Sequence, residues 1–126
     1  MNILFVDDNS ETRVLYRLCF LMEGHKAETA QDGAEALQMI ELRANSLDAI
    51  IIDYNMPGMN GLEVVKKLRQ REEKENLPRI PIILFTGDVE GKHEWRAQEL
   101  GVARVLYKPL IPKELITITH DVVHPD

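Results

Sequence analysis

The sequence predicts an α/β fold: a five-stranded parallel sheet with five helices on its faces. Three observations predict it. Short apolar, β-branched runs alternate strictly with segments whose apolar residues recur at the helical period. The most apolar run, Ala49-Ile50-Ile51-Ile52, shows no polar alternation, as expected of a strand buried on both faces. The polar residues that interrupt the pattern cluster just after the strands, at Asp7-Asp8, Asp53, Thr86 and Lys108.

The elements follow in order. Ile3–Val6 is a buried strand that stops at Asp7-Asp8. Asn9 or Ser10 can cap the next helix, where Val14, Leu15, Leu18, Cys19, Leu21 and Met22 recur near the helical period and Gly24 closes the element. His25–Ala30 reads as a weaker, edge-like strand. Asp32 and Glu35 resemble a capping box for a helix over Ala34–Arg43, with Ala36, Leu37 and Ile40 inward. Leu47–Asp53 is the central strand, and the chain then turns through Pro57-Gly58. Asn60 and Glu63 cap a third helix with the stripe Leu62, Val65 and Leu68. That helix runs out in a charged stretch, residues 69–76, read as a solvated end. Ile80–Phe85 is the fourth strand, Lys92–Leu100 a helix with a sparse apolar stripe, and Val102–Tyr107 the fifth strand. Pro112 suits the first turn of a last helix carrying Leu115, Ile118 and Val122.

Composition narrows the class. The 126 residues, 44% hydrophobic and 29% charged, fit one globular domain over residues 1–126. A net charge of −6 disfavours direct nucleic-acid binding by this chain. The single cysteine, Cys19, forms no intramolecular disulfide and reads as a buried thiol. No apolar run approaches the roughly 20 residues of a membrane span. Residues 1–6 resemble neither a signal nor a transit peptide, so the expected location is cytoplasmic and off the membrane. The four histidines show no joint ligand spacing, Trp95 with Arg96 reads as helix packing ahead of a partner anchor, and Met56 and Met59 as loop packing.

The strand-end residues carry the chemistry. In a parallel sheet all C-terminal strand tips lie along one edge, so Asp7, Asp8, Asp53, Thr86 and Lys108 can converge from distant positions. Three carboxylates at one edge repel, and a hard divalent cation such as Mg²⁺ resolves the repulsion. Lys108 adds a point charge suited to a phosphate, Thr86 a hydroxyl donor, and Gly87 leaves room beside it. The set describes phosphoryl transfer with a carboxylate, Asp53, as nucleophile.

In this order, Asp7-Asp8, Asp53 with Met56-Pro57-Gly58 and Gly61, Thr86-Gly87 and Lys108-Pro109 resemble the receiver domain of two-component response regulators. So does residues 30–37, Ala-Gln-Asp-Gly-Ala-Glu-Ala-Leu. The resemblance implies a flavodoxin-like doubly wound sheet in the order 2-1-3-4-5. It implies that Asp53 accepts a phosphoryl group from the phosphohistidine of a histidine kinase or a histidine phosphotransfer protein. Asp8, Asp53 and the backbone carbonyl of Asn55 would ligate Mg²⁺, with Asp7 acting through water. Lys108 would pair with Asp53 or its phosphoryl group, Thr86 would move to bond that group, and the Lys108–Pro109 peptide would be cis. Such a domain catalyses only its own phosphorylation and dephosphorylation. It switches binding of an effector protein or a fused output domain through the fourth helix, fifth strand and fifth helix.

Two departures stand out. Val105 occupies the position three before the lysine where the family often places an aromatic switch residue, and Tyr107 lies nearer the strand end. Asn55 and Asp88 sit where the family tunes phosphoryl lifetime, and their polarity fits a labile group. Two other classes stand as alternatives. One is a metal-dependent phosphatase or phosphotransferase working through an aspartyl phosphate, for which no cap-sized insertion is present. The other is an interaction module that no longer switches.

Overall fold

The computed structural model describes residues 1–43, 45–88, 91 and 93–126. Strands β1 (Asn2–Val6), β2 (Lys26–Ala30), β3 (Ala49–Ile52), β4 (Ile82–Thr86) and β5 (Arg104–Tyr107) alternate with helices α1 (Ser10–Met22), α2 (Gly33–Arg43), α3 (Gly61–Lys74), α4 (Glu94–Glu99) and α5 (Pro112–Val123). All strand pairs are parallel, in the order β2-β1-β3-β4-β5. Both the fold class and the strand order are therefore those expected. The order reverses between β1 and β3, which opens a crevice at their C-terminal tips.

Side-chain alternation sorts the core into two layers. Leu4, Val6, Ile50, Ile52, Ile82 and Leu84 face α2, α3 and α4. Ile3, Phe5, Ile51, Ile83 and Phe85 face α1 and α5. β3 and β4 are buried along their whole length, which is why they read as unbroken apolar runs. The edge strand β2 alternates lysine and glutamate with alanine and threonine.

Helix starts follow the caps in the sequence. Asn9 accepts the Thr12 amide at 2.9 Å and caps α1. Asn60 and Glu63 form a reciprocal capping box on α3. At α2, the Asp32 carboxylate accepts the Glu35 amide at 2.8 Å. Strand ends shift by a few residues, as at β3, which starts at Ala49 rather than Leu47. The expected helix start at Lys92 lies outside the described residues; α4 is regular over Glu94–Glu99.

Three expectations need correction. In α1 the stripe of Val14, Leu15, Leu18, Leu21 and Met22 faces solvent, with Leu18 48% and Met22 84% exposed. The buried face is Tyr16 and Phe20, and Cys19 is only partly buried. Tyr16 stacks on Phe5 and meets Phe85 edge-on, so aromatic packing on the sheet sets the helix's rotation. Trp95 does not pack either; it is 71% exposed on α4.

The third correction concerns the charged end of α3. Arg69 and Glu72 are buried rather than solvated. Arg69 donates to Glu72 and to the Ile80 carbonyl, each at 2.9 Å, and to the Leu100 and Gly101 carbonyls at 2.9 and 3.1 Å. Glu72 in turn accepts the Ile80 amide at 2.8 Å. The pair saturates backbone groups where the chain enters β4 and leaves α4, and so fixes the height of both on the sheet. Removing one partner strands the other in the core. Arg69→Ala is expected to lower stability by about 3–5 kcal/mol in urea unfolding, and Arg69→Met/Glu72→Leu by clearly less.

Candidate functional site

Asp7, Asp53, Thr86 and Lys108 are each the last residue of a strand or the one after it, Asp8 and Asn55 follow within three residues of a strand end, and the sheet's final ladder bonds hold three of the six. The Asp7 amide donates to the Ala30 carbonyl at 3.1 Å and the Asp53 amide to Val6 at 3.0 Å. The Lys108 amide donates to the Thr86 carbonyl at 2.8 Å. The strand register thus fixes the spacing of the groups before any side chain interacts.

The side chains then converge. Lys108 Nζ donates to Asp7 Oδ2 at 2.6 Å and to Asp53 Oδ2 at 3.1 Å, bridging the tips of β1, β3 and β5. Its charge also lies over the Phe85 ring, 5.6 Å from the centroid. Asp7, Asp53 and Thr86 are buried, whereas Asp8 and Asn55 are exposed at the rim. Asp7 Oδ1 accepts the Asn9 amide at 2.9 Å, which ties the acid to the start of α1. Thr86 Oγ1 accepts the Asp88 amide at 3.2 Å. A Cβ at Gly87 would meet nothing within 4 Å, so the rim is open beside Thr86. The Lys108–Pro109 peptide is cis.

The turn after Asp53 is built by two glycines. Gly58 takes φ +80°, a conformation costly for other residues. Gly61 starts α3 against the strand end, where a Cβ would lie 2.2 Å from the Asp53 carbonyl oxygen. Only glycine there lets the helix start fold back under Asp53, and the Gly61 amide donates to Tyr54 at 2.9 Å.

The electrostatics set one cation against three acids. Carboxylate oxygens of Asp7, Asp8 and Asp53 all lie within 4.8 Å of one another. Among the described residues, Asp53 Oδ1 is the one buried side-chain oxygen that no donor meets in good hydrogen-bond geometry, the Asn55 amide giving the carboxyl only a weak pull. Burial pushes the Asp53 carboxyl above its ordinary 3.8, against the opposing pull of Lys108. Burial also works against the Lys108 ammonium, but the bonds and charges of Asp7 and Asp53 outweigh it and raise the lysine above its ordinary 10.5. An oxygen-only donor set with an orphaned buried oxygen fits a hard divalent cation.

A doubly wound sheet with acids and a lysine at its switch point places the chain among flavodoxin-like α/β domains. The family model for the response regulator receiver domain matches residues 3–120, and the chain belongs to that family, a receiver domain of two-component signalling. It is 33% identical over 110 residues to chemotaxis protein CheY-3 of Vibrio cholerae, covering 86% of this chain and 81% of that one. It is also 33% identical over 115 residues to the peroxide stress-activated histidine kinase mak3 of Schizosaccharomyces pombe, covering 90% of this chain but 5% of the kinase. The chain therefore spans a small part of the sensor kinases it matches, and 10% of the Escherichia coli sensor protein EvgS. Among solved structures, CheY4 of Vibrio cholerae superposes with a TM-score of 0.85 at 30% identity, over 96% of this chain and 97% of that one. Receiver domains are signalling modules rather than conventional enzymes. Among the described residues no helix is long and apolar enough to cross a membrane.

Sequence reasoning missed His93. It stacks on Tyr54 beside the pocket and bonds Asp88, contacts that no spacing announces.

The pH dependence of Asp53 follows from its burial. In the unfolded chain its carboxyl titrates near 3.8, and in the fold it titrates higher. Across that window the folded state holds the proton more tightly, so this group's contribution to stability falls as pH rises; above the window the ionised form is a fixed cost. Asp53→Asn is expected to raise the thermal midpoint of the metal-free protein at neutral pH. The gain should shrink as the pH approaches 3.8, as read by melts across the acid range.

Proposed function

We propose that Asp53 accepts a phosphoryl group from a phosphohistidine, with Mg²⁺ bound at the acidic pocket. The observation that carries this reading is the shared lysine: one ammonium sits between the Asp53 carboxylate and Asp7, at an open sheet edge. An Asp53 oxygen attacks phosphorus, the new O–P bond forms, and the N–P bond to the donor imidazole breaks. The electron pair leaves with the imidazole, which takes up a proton.

Asp8, Asp53 and the Asn55 carbonyl would hold the cation directly, and Asp7 through water. When bound, Mg²⁺ supplies neutralisation of the charge carried by the phosphoryl oxygens. Lys108, already between two carboxylates, can follow the negative charge from Asp53 to its phosphoryl group with little displacement. Thr86 offers its hydroxyl from the tip of β4. The chain acts as one receiver unit, cytoplasmic, and catalyses only its own phosphorylation and dephosphorylation. Its output passes through the α4-β5-α5 face to an effector protein or fused domain, without direct contact to nucleic acid.

The donor would be a histidine kinase or a histidine phosphotransfer protein, and the surface suited to it adjoins the pocket. α1 begins two residues after Asp8 and presents Val14, Leu15, Leu18, Leu21 and Met22 to solvent. An exposed apolar stripe of that length on a helix suits a partner's apolar helix face.

A small acyl phosphate or phosphoramidate with Mg²⁺ is expected to label the wild type, read by intact mass, and Asp53→Ala is expected to abolish the label. Labelling that persists in that variant refutes the assignment. Leu18→Arg, on the exposed stripe, is expected to leave labelling by the small donor unchanged. It should slow transfer from a cognate phosphohistidine protein roughly tenfold or more, the scale of losing a buried apolar contact at an interface.

A further inference from the structure

One imidazole joins three parts of the molecule around the pocket. His93 stands at the start of α4 but makes no capping bond to that helix. Its Nε2–H instead donates to Asp88 Oδ2 at 2.9 Å, and both side chains are only 15% exposed. Its ring lies flat on Tyr54, with centroids 3.6 Å apart and planes 19° apart. Tyr54 directly follows Asp53. Asp88 belongs to the segment after β4, and its amide donates to Thr86 Oγ1 at 3.2 Å. So the ring ties α4 to the residue after the phosphoacceptor and to the segment anchored on the Thr86 hydroxyl.

The usual place for an aromatic relay is filled otherwise. Val105 packs against the core layer shared with α2, α3 and α4. Tyr107 pairs with Thr86 in the sheet register, and its hydroxyl bonds Glu94 of α4.

We propose that His93 is the positioning residue through which the state of Asp53 reaches α4. The proposal rests on the reading of Asp53 as phosphoacceptor. A phosphoryl group on Asp53 draws the Thr86 hydroxyl toward its oxygens, and that hydroxyl is the acceptor of the Asp88 amide. When the acceptor turns, Asp88 shifts, and its carboxylate carries His93 along the face of Tyr54. Because His93 immediately precedes α4, the helix start moves with it. The coupling runs through two hydrogen bonds, Asp88 to Thr86 and His93 to Asp88, and one ring stack, and the proposal requires that these contacts take a second arrangement when Asp53 is phosphorylated.

Trp95, the single tryptophan, sits two residues beyond His93 and is exposed, so it reports on this helix. The test treats the full chain with a small acyl phosphate and Mg²⁺. Intact mass reads the label on Asp53, while Trp95 emission and the amide resonances of Glu94–Glu99 read α4. In the wild type both are expected to change. His93→Ala is expected to take up the label to the wild-type extent while the α4 changes fall to half or less. His93→Gln, which keeps a donor for Asp88, should recover part of them. Full α4 changes in labelled His93→Ala overturn the proposal. So does their loss in Tyr107→Phe with His93→Ala unaffected, because the relay then runs through β5. A wild type that takes no label overturns the phosphoacceptor reading and the relay with it, and the mass measurement identifies that case directly.

Discussion

The Lys108 ammonium, shared between Asp7 and Asp53, is the contact on which the site depends. Three strands must end at one edge in the observed order for it to form, because its partners come from β1 and β3 and the lysine from β5. Both carboxylates are buried, and neither would be tolerated there uncompensated. Lys108 satisfies Asp7 closely and Asp53 loosely, at 2.6 against 3.1 Å. Lys108 meets Asp53 only at Oδ2, so Oδ1, which no donor meets in good geometry, is the oxygen a reacting group or a cation can claim. The same lysine thus holds the edge together and keeps Asp53 incompletely neutralised.

Around this edge the two faces of the sheet are packed differently. On one side α1 is anchored by Tyr16 and Phe20 and turns its aliphatic residues outward. On the other side α4 is short, buries only Ala97, and leaves Trp95 exposed. The first arrangement suits an incoming partner, and the second an element that can shift at small cost in packing. On the α4 side, the buried Arg69–Glu72 pair locks α3 to the entry of β4 and the exit of α4. That lock lies at the opposite end of β4 from Thr86, so movement at the site end need not disturb it.

Much of this was legible in the sequence. The isoleucine run of β3 and the run of β4 announced buried parallel strands, and the polar residues after each strand announced the edge where Asp7, Asp8, Asp53, Thr86 and Lys108 gather. Asn60 and Glu63 announced the start of α3. What stayed hidden has physical reasons. α1 is apolar around most of its circumference, so periodicity cannot choose a face; aromatic packing on Phe5 and Phe85 does. Arg69 and Glu72 read as solvated because an i, i+3 ion pair looks the same buried or exposed, and only the carbonyls they meet tell the difference. His93 was passed over because its partners, Tyr54 and Asp88, come from separate turns that only the tertiary fold brings together.

The central claim is that a carboxylate held half-neutralised by Lys108 becomes an acyl phosphate. The most direct measurement is reductive trapping. Borohydride added after exposure to a phosphohistidine donor and Mg²⁺ converts an aspartyl phosphate to homoserine, and peptide mass spectrometry locates it. Homoserine at position 53, and at neither Asp7 nor Asp8, is the predicted result. Homoserine at another acid, or a phosphoryl group that survives reduction unchanged on a histidine or hydroxyl residue, would contradict it.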